Sequence, residues 1–212
     1  MEGSKMKKGS VFLCVIFLLF VVVVGADAAL LNFDDITTEY DASVQEYGGF
    51  SWININVLHK DYFKDKFNIN SGFENGVASG GYIAVNNYAR TATVISENAP
   101  FDFKGTYLTA AWNNGLHITV VAKLNGMEKY NQTVIVDADC KTWFDFDFFG
   151  INELEISSSG GTNAGLGWKG QHFVMDDFTF TEFEQIPVPS TLFLLCSGLI
   201  GIAGFRRKFL KA

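Results

Sequence analysis

The sequence predicts an all-β fold: a two-sheet antiparallel β-sandwich of jelly-roll type, preceded by a signal peptide and followed by a single hydrophobic C-terminal helix. Glycine is abundant, with 21 residues, whereas only one of the three prolines precedes residue 187. Apolar and polar residues alternate in short runs, the pattern of half-buried strands. About ten such runs, with no amphipathic helix among them, favour two packed sheets.

The first 28 residues have the features of a signal peptide. Three lysines precede the apolar run 11–24, and Ala26-Asp27-Ala28 fits a small-x-small cleavage site. Fourteen apolar residues are few against the roughly 20 that a membrane span needs. We therefore expect residues 1–28 to engage the Sec translocon and to be removed by signal peptidase.

Residues 29–186 are expected to form one domain of 158 residues, long enough for its own core. This segment has nine Lys and Arg against 21 Asp and Glu, a net charge of −12. Such a surface repels phosphate, which excludes nucleic acid as a partner. Cys140 is the only cysteine of the segment, so no internal disulfide is possible, and we expect it to be buried or inert.

Short strands are predicted along the first half of this domain, separated by polar or glycine-rich connections. Residues 62–69 are ambiguous, and residues 71–81 hold four glycines and read as a loop. The predicted strands are 30–36, 50–58, 82–86 and 91–96.

The second half has the clearest strand pattern, because Asn113-Asn114-Gly115 and Asn125-Gly126 supply the positive φ angles of tight turns. They predict an antiparallel meander. Residues 157–170 are glycine-rich and read as irregular. The predicted strands are 106–112, 116–124, 127–136, 143–149, 151–156 and 171–183.

The last 26 residues, 187–212, combine a proline-rich start, an apolar segment and a basic end. The apolar run 191–205 would span roughly 22 Å as a helix, short against a hydrocarbon core of roughly 30 Å. The basic residues after it favour a cytoplasmic C-terminus and an external domain. A permanent tail anchor is the alternative. The residues that define this segment are Pro187, Val188, Pro189, Ser190, Arg206, Arg207 and Lys208.

This tail resembles the PEP-CTERM sorting signal of exported bacterial proteins, with Val188 where that family usually has Glu. The resemblance implies that an exosortase, a membrane-embedded cysteine peptidase, cuts near residues 187–189 and transfers the domain to an extracellular polymer. It also implies transient anchoring in the inner membrane through the C-terminal helix, followed by release to the cell surface or extracellular matrix.

A second resemblance covers residues 31–180 and rests on short glycine-, tryptophan- and aspartate-containing motifs. The domain is similar to those common in PEP-CTERM proteins, which look like carbohydrate-binding-module jelly rolls. This likeness implies a fold rather than an activity. The motifs are Phe33-Asp34-Asp35, Gly48-Gly49-Phe50-Ser51-Trp52, Asn75 to Gly80, Leu108 to Leu116, Ser158 to Thr162 and Phe173 to Phe180.

Catalytic signals are weak. The chain has three histidines and contains none of the common nucleophile, zinc-protease or phosphate-loop motifs. Asp145 and Asp147 share a predicted strand face about 7 Å apart and could serve a glycoside hydrolase. The alternative is the polar outer face of a strand that buries Phe144, Phe146 and Phe148.

A structural calcium ion is the predicted cofactor. Asp34 and Asp35 are placed on the first predicted strand and Asp176 and Asp177 on the last, and these strands are commonly neighbours in jelly rolls. Calcium prefers several carboxylate and carbonyl oxygens. Only one aspartate of each pair can face a shared ion unless a bulge intervenes. The alternative is aspartates bonded to loop amides.

Aromatic residues in loops are candidates for binding extracellular polysaccharide. Flat rings stack on sugar C–H faces, and amides satisfy hydroxyl groups. Trp168, between Gly167 and Gly170, is the first candidate, whereas Trp112 is expected in the core. The full candidate set is Trp168, Trp52, Tyr82, Asn113 and Asn114.

Together these features predict a non-enzymatic protein of the cell surface or extracellular matrix. A carbohydrate-binding module is the first alternative, and a glycoside hydrolase using Asp145 and Asp147 is the second. The sequence leaves the ligand and the cleavage bond open.

Overall fold

The computed structural model describes residues 27–182, so most of the predicted signal peptide and the whole predicted sorting tail lie outside it. Within this range the chain forms eleven strands, two short α-helices and a 3-10 turn at Asn87–Ala89. The strands are β1 (Ala29–Leu31), β2 (Asp41–Tyr47), β3 (Phe50–His59), β4 (Tyr82–Asn86), β5 (Ala92–Ile95), β6 (Phe101–Ala110), β7 (Asn113–Leu124), β8 (Met127–Val136), β9 (Thr142–Ile151), β10 (Glu153–Asn163) and β11 (Phe173–Glu182). The helices are α1 (Tyr62–Phe67) and α2 (Gly72–Asn75).

The strands follow one antiparallel hydrogen-bonded path in the order β8-β7-β10-β5-β3-β4-β11-β6-β9, with β1 added to β11 and β2 to β3. The path turns at β3, where residues 51–53 pair with β5 and residues 55–59 pair with β4. Asn54 lies between these halves with φ 58°. The two arms face each other as the layers of a sandwich, which confirms the predicted fold class.

The core between the layers is rich in phenylalanine. Phe103 of β6 and Phe178 of β11 are fully buried and stacked, with 4.7 Å between ring centroids. Ile118 and Val120 of β7 belong to the same cluster from the opposite layer. Burying each such side chain contributes about 1.5–3 kcal/mol relative to exposure. The period-two pattern of these strands therefore decides which face becomes the interior.

A second apolar cluster lies on the outer face of β3, β4 and β11. Leu58, Ile83 and Val174 point outward from these strands and pack with Phe73 of α2 and Trp112. Helices α1 and α2 lie in the stretch that separates β3 from β4. Helix α1 lies in the segment 62–69 that the sequence left ambiguous, and α2 lies in the segment 71–81 that was predicted to be a loop. Both cover the outward-facing apolar patch. In the described range no helix has the length and apolar character of a membrane span.

The Asn125-Gly126 turn is confirmed, whereas the turn predicted at Asn113-Asn114-Gly115 is wrong, because these residues belong to β7. Asn125 and Gly126 adopt φ 52° and 78° and join β7 to β8, which has the predicted bounds. Half of the predicted meander is confirmed, since β7 pairs with β8. The other half is wrong, because β6 pairs with β11 and β9 and the second neighbour of β7 is β10. The chain changes layer at Ala111 and Trp112, and Asn113 already belongs to β7.

Two strand bounds also differ from prediction. β1 ends at Leu31, so Asp34 and Asp35 lie in the following turn and not on a strand. β10 continues through Gly160 and Gly161 into the segment predicted to be irregular. The predicted pairing of the first and last strands is confirmed, since β1 pairs with β11.

Candidate functional site

An open cavity of about 480 Å³ lies on the outer surface of β3 and β4. We call it the aromatic groove. It joins residues of α1, the turn after β4 (residues 87–89) and the loop between β10 and β11 (residues 164–172). It is lined by Asp41, Asn56, Leu58, Tyr62, Phe63, Phe73, Val85, Asn86, Asn87, Tyr88, Trp112, Trp168, Lys169 and His172.

Trp168 is half-exposed at the edge of the groove, with 44% of its surface accessible. Its ring stacks on buried Trp112 at 5.9 Å and contacts Phe63 at 5.1 Å between centroids. The loop that carries it is fixed by a hydrogen bond from Asn163 Nδ2 to the Trp168 carbonyl and by one from Ala164 N to the Trp112 carbonyl. The ring is therefore held in place with one part presented to solvent.

Tyr88 also lines the groove and is 76% exposed, the highest exposure among the large hydrophobic side chains of residues 27–182. Tyr88 and Ala89 both have φ 53°, in the left-handed region that non-glycine residues seldom adopt. The Arg90 guanidinium lies 5.4 Å from the Tyr88 ring centroid. Sequence reasoning missed Tyr88, although the gap between β4 and β5 with an aromatic residue in it was a usable signal.

Fully buried Asn86 anchors this turn. Its Nδ2 donates to the Arg90 carbonyl, and its Oδ1 accepts from Phe173 N at 2.8 Å. The first bond ties the far end of the turn to β4, and the second ties β4 to β11. Because the surroundings fix the backbone, the left-handed residues persist despite their cost of about 1–3 kcal/mol each.

Two lining side chains each contain a buried polar atom without a hydrogen-bond partner among residues 27–182: Asn56 Oδ1 and His172 Nδ1. The other end of the Asn56 amide donates to Asp41 Oδ1 at 2.9 Å. Burial lowers the pKa of His172, so its ring is neutral near pH 7. The groove thus combines aromatic faces with hydrogen-bonding groups that have spare capacity.

The other predicted sugar-binding residues lie outside this groove. Trp52 is 3% exposed and packs edge-to-face with Phe178, so its assignment as a binding platform was wrong. Tyr82 is half-buried and packs against His59. Asn113 and Asn114 use their side chains to bind the Gly160 carbonyl and Ala138 N, respectively.

Three of the four predicted calcium ligands, Asp34, Asp176 and Asp177, are bonded to one segment, residues 78–82. Asp176 Oδ2 accepts from Ala78 N and Ser79 N, and Asp176 Oδ1 accepts from Asp177 N. Asp34 Oδ1 accepts from the N–H groups of residues 81 and 82. A bulge in β11 gives Asp177 φ 52°, and its Oδ1 accepts from the Ser79 hydroxyl. This geometry matches the alternative of aspartates bonded to loop amides.

Metal binding itself stays a prediction. Asp35 Oδ1 accepts from the Tyr47 hydroxyl at 2.7 Å, away from the 78–82 loop. Across residues 27–182, no three His, Cys, Asp or Glu side chains form a group suited to a metal ion. Burial raises the pKa of the Asp176 carboxyl to about 7, against three N–H donors that favour its charged form.

Asp145 and Asp147 are exposed on β9, while Phe146 and Phe148 are buried. Asp145 Oδ1 accepts from Trp143 Nε1 at 2.7 Å, and Asp147 has φ 48°. The arrangement agrees with a polar strand face, the alternative to a carboxylate pair. Cys140 is exposed and not buried, and its neighbour Asp139 raises the pKa of the thiol, which lowers its thiolate fraction.

One family model matches the chain. Residues 185–208 match the PEP-CTERM protein-sorting motif. They include all the predicted sorting residues from Pro187 to Lys208 and lie beyond the described range. The motif indicates an exported protein that is directed to the cell surface. No curated protein matches the chain in sequence.

Solved structures give weak similarities. A CBM61 domain in complex with β-1,4-galactotriose (TmCBM61) has 10% identity and a TM-score of 0.37, covering 66% of this chain and 92% of that one. The tandem CBM22 domains of Paenibacillus barcinonensis Xyn10C have 14% identity and a TM-score of 0.38, covering 78% and 47%. A CBM4 structure has 13% identity and a TM-score of 0.32, covering 62% and 86%.

Proposed function

We propose that this protein is exported, sorted by an exosortase-type system and deployed as a non-enzymatic component of the cell surface or extracellular matrix. The observation that carries the proposal is the PEP-CTERM match over residues 185–208. This sorting signal directs the acidic β-sandwich of residues 29–182 to the cell surface. The C-terminal segment anchors the precursor in the inner membrane until cleavage near residues 187–189.

Fractionation of the source bacterium tests the sorting step. The wild-type protein should leave the inner membrane, whereas Pro187→Ala together with Pro189→Ala should accumulate there as the uncut precursor. Val188→Glu restores the residue usual in the family and should be sorted at least as well as wild type. Equal release of the double proline variant would contradict the proposal.

The non-enzymatic part rests on the environment of the acidic pair. Asp145 and Asp147 stand on the exposed face of β9, and neither lines the aromatic groove. We expect Asp145→Asn and Asp147→Asn to leave both glycan binding and glycan hydrolysis at the wild-type level. Glycan hydrolysis that either variant abolishes would make the protein a glycoside hydrolase instead.

The second candidate function is carbohydrate binding, and the half-exposed Trp168 favours it. An aromatic ring held by Trp112 and Phe63 offers a preorganised face for a sugar ring. A glycan array probed with wild type and Trp168→Ala tests it. Binding that Trp168→Ala removes supports the module, and an array on which wild type binds nothing leaves the scaffold function alone.

A further inference from the structure

The aromatic groove carries more ring surface than one platform requires. From Trp168, contacts between rings continue through Phe67 at 5.4 Å and on to Tyr62 at 6.2 Å. Tyr62 also borders a second cavity of about 340 Å³ beside Tyr40. Phe67 and Tyr40 are themselves exposed. Tyr62 lines both cavities, so the two openings are adjacent on the surface.

Tyr88 brings a ring to the groove from a separate segment of the chain. An aromatic side chain as exposed as that of Tyr88 contributes little to the free energy of folding. The left-handed backbone conformation of Tyr88 lowers the stability of the folded state. Such strain persists where surroundings over-determine it, and it concentrates at binding sites. Buried Asn86 provides that determination here. The turn thus holds the Tyr88 ring at the groove at some expense to stability.

Polar atoms in the groove fit a ligand rich in hydroxyl groups. Asn56 Oδ1 can accept a hydrogen bond, and His172 Nδ1 can accept or donate one according to its tautomer. A buried polar atom without a partner costs about 1–3 kcal/mol, which a ligand hydroxyl can recover. A ligand without polar groups would leave both atoms unsatisfied.

The charges of the groove and of the surrounding domain restrict the class of ligand further. Asp41 and Lys169, the only Asp, Glu, Lys or Arg side chains among the described lining residues, have opposite signs. The surrounding segment 29–186 carries a net charge of −12, which repels uronic acids and other anionic sugars. A neutral glycan satisfies the rings, the polar atoms and the electrostatics together.

We infer that the aromatic groove binds a neutral glycan chain on two aromatic platforms, Trp168 and Tyr88, with Asn56 and His172 as hydrogen-bonding groups beside them. The inference rests on the carbohydrate-binding candidate function and is independent of the sorting proposal. It adds Tyr88 and the 87–89 turn to the binding surface, and it assigns the ligand class.

The test compares the secreted protein with single variants on an array of neutral hexose and pentose oligosaccharides beside uronic-acid polymers. Calorimetry with the best-bound oligosaccharide then gives affinities. Tyr88→Asn removes the ring but retains a residue that tolerates the left-handed conformation. Tyr88→Phe keeps the ring. Phe149→Ala is the matched control, because Phe149 is 47% exposed and lies outside the groove lining.

We expect Trp168→Ala and Tyr88→Asn each to weaken binding about tenfold or more, whereas Tyr88→Phe and Phe149→Ala stay within about twofold. Unchanged melting temperatures will show that the variants are folded. Loss with Trp168→Ala but not with Tyr88→Asn would leave a binding module and refute the second platform. Preference for uronic-acid polymers would refute the neutral ligand, and self-association lost in Tyr88→Asn would make the occupant a second copy of the chain.

Discussion

Asp176 is predicted to be the residue that fastens the 78–82 loop to the sandwich. Its buried carboxylate accepts hydrogen bonds from Ala78 N at 2.7 Å, Ser79 N at 3.1 Å and Asp177 N at 2.8 Å. Asp176→Ala leaves three backbone donors without their acceptor. An unsatisfied buried donor costs about 1–3 kcal/mol. Because Ala78 and Ser79 are half-buried, the lower figure applies and the loss is about 3 kcal/mol.

For a domain of this size, 1 kcal/mol shifts the melting temperature by about 2–4 °C, so we expect a fall of about 6–12 °C. Thermal unfolding followed by circular dichroism measures it, and amide exchange should accelerate at Ala78 and Ser79. Asp139→Ala, at an exposed position, is the control and should shift the melting temperature by less than about 1 °C. An Asp176→Ala protein that melts with the control would refute the role assigned to these hydrogen bonds.

Three further predictions concern stability. The pKa of the Asp176 carboxyl is about 7 in the folded state against an ordinary 3.8, so the folded state binds the carboxyl proton more tightly than the unfolded state does. The contribution that protonation of Asp176 makes to the free energy of unfolding should therefore be fully present below about pH 4 and be lost as pH rises through 7, a step that Asp176→Asn removes from denaturant titrations. A calcium ion held by the aspartates predicts a lower melting temperature in a chelator, whereas their hydrogen bonds predict no change, which is the outcome we expect. Phe178→Ala, at a fully buried position stacked on Phe103, should lower the free energy of unfolding by about 3–5 kcal/mol, while a loss below about 1 kcal/mol would contradict the core described here.

The fold class and the Asn125-Gly126 turn could be predicted because they depend on neighbours in sequence. Alternation at period two correctly predicted that Phe146 and Phe148 of β9 face the core and that Asp145 of β9 faces solvent. Asn125-Gly126 defined its hairpin because few other residues adopt two consecutive positive φ angles. Pairing across the layers could not be predicted in this way. Whether β6 pairs with β7 depends on a layer change at Trp112, which involves contacts far away in sequence.

The groove was only partly predictable, since its lining comes from separate segments between residues 41 and 172. Trp168 could be found because flanking glycines favour an exposed loop. Composition alone could not distinguish Trp52 from Trp168. The burial of Trp52 follows from its packing against Phe178. The gap between β4 and β5 marks Tyr88 as a loop residue, but its place at the groove depends on the bond that Asn86 makes to β11, which no local pattern encodes.

The central claim, that the residues after the sandwich act as a removable sorting signal, is tested most directly by intact mass spectrometry of the mature protein. Cells that possess the exosortase should yield a chain ending near residues 187–189, while cells that lack it should retain the sequence through Ala212. A chain from exosortase-containing cells that still carries Arg206 to Ala212 would contradict the account.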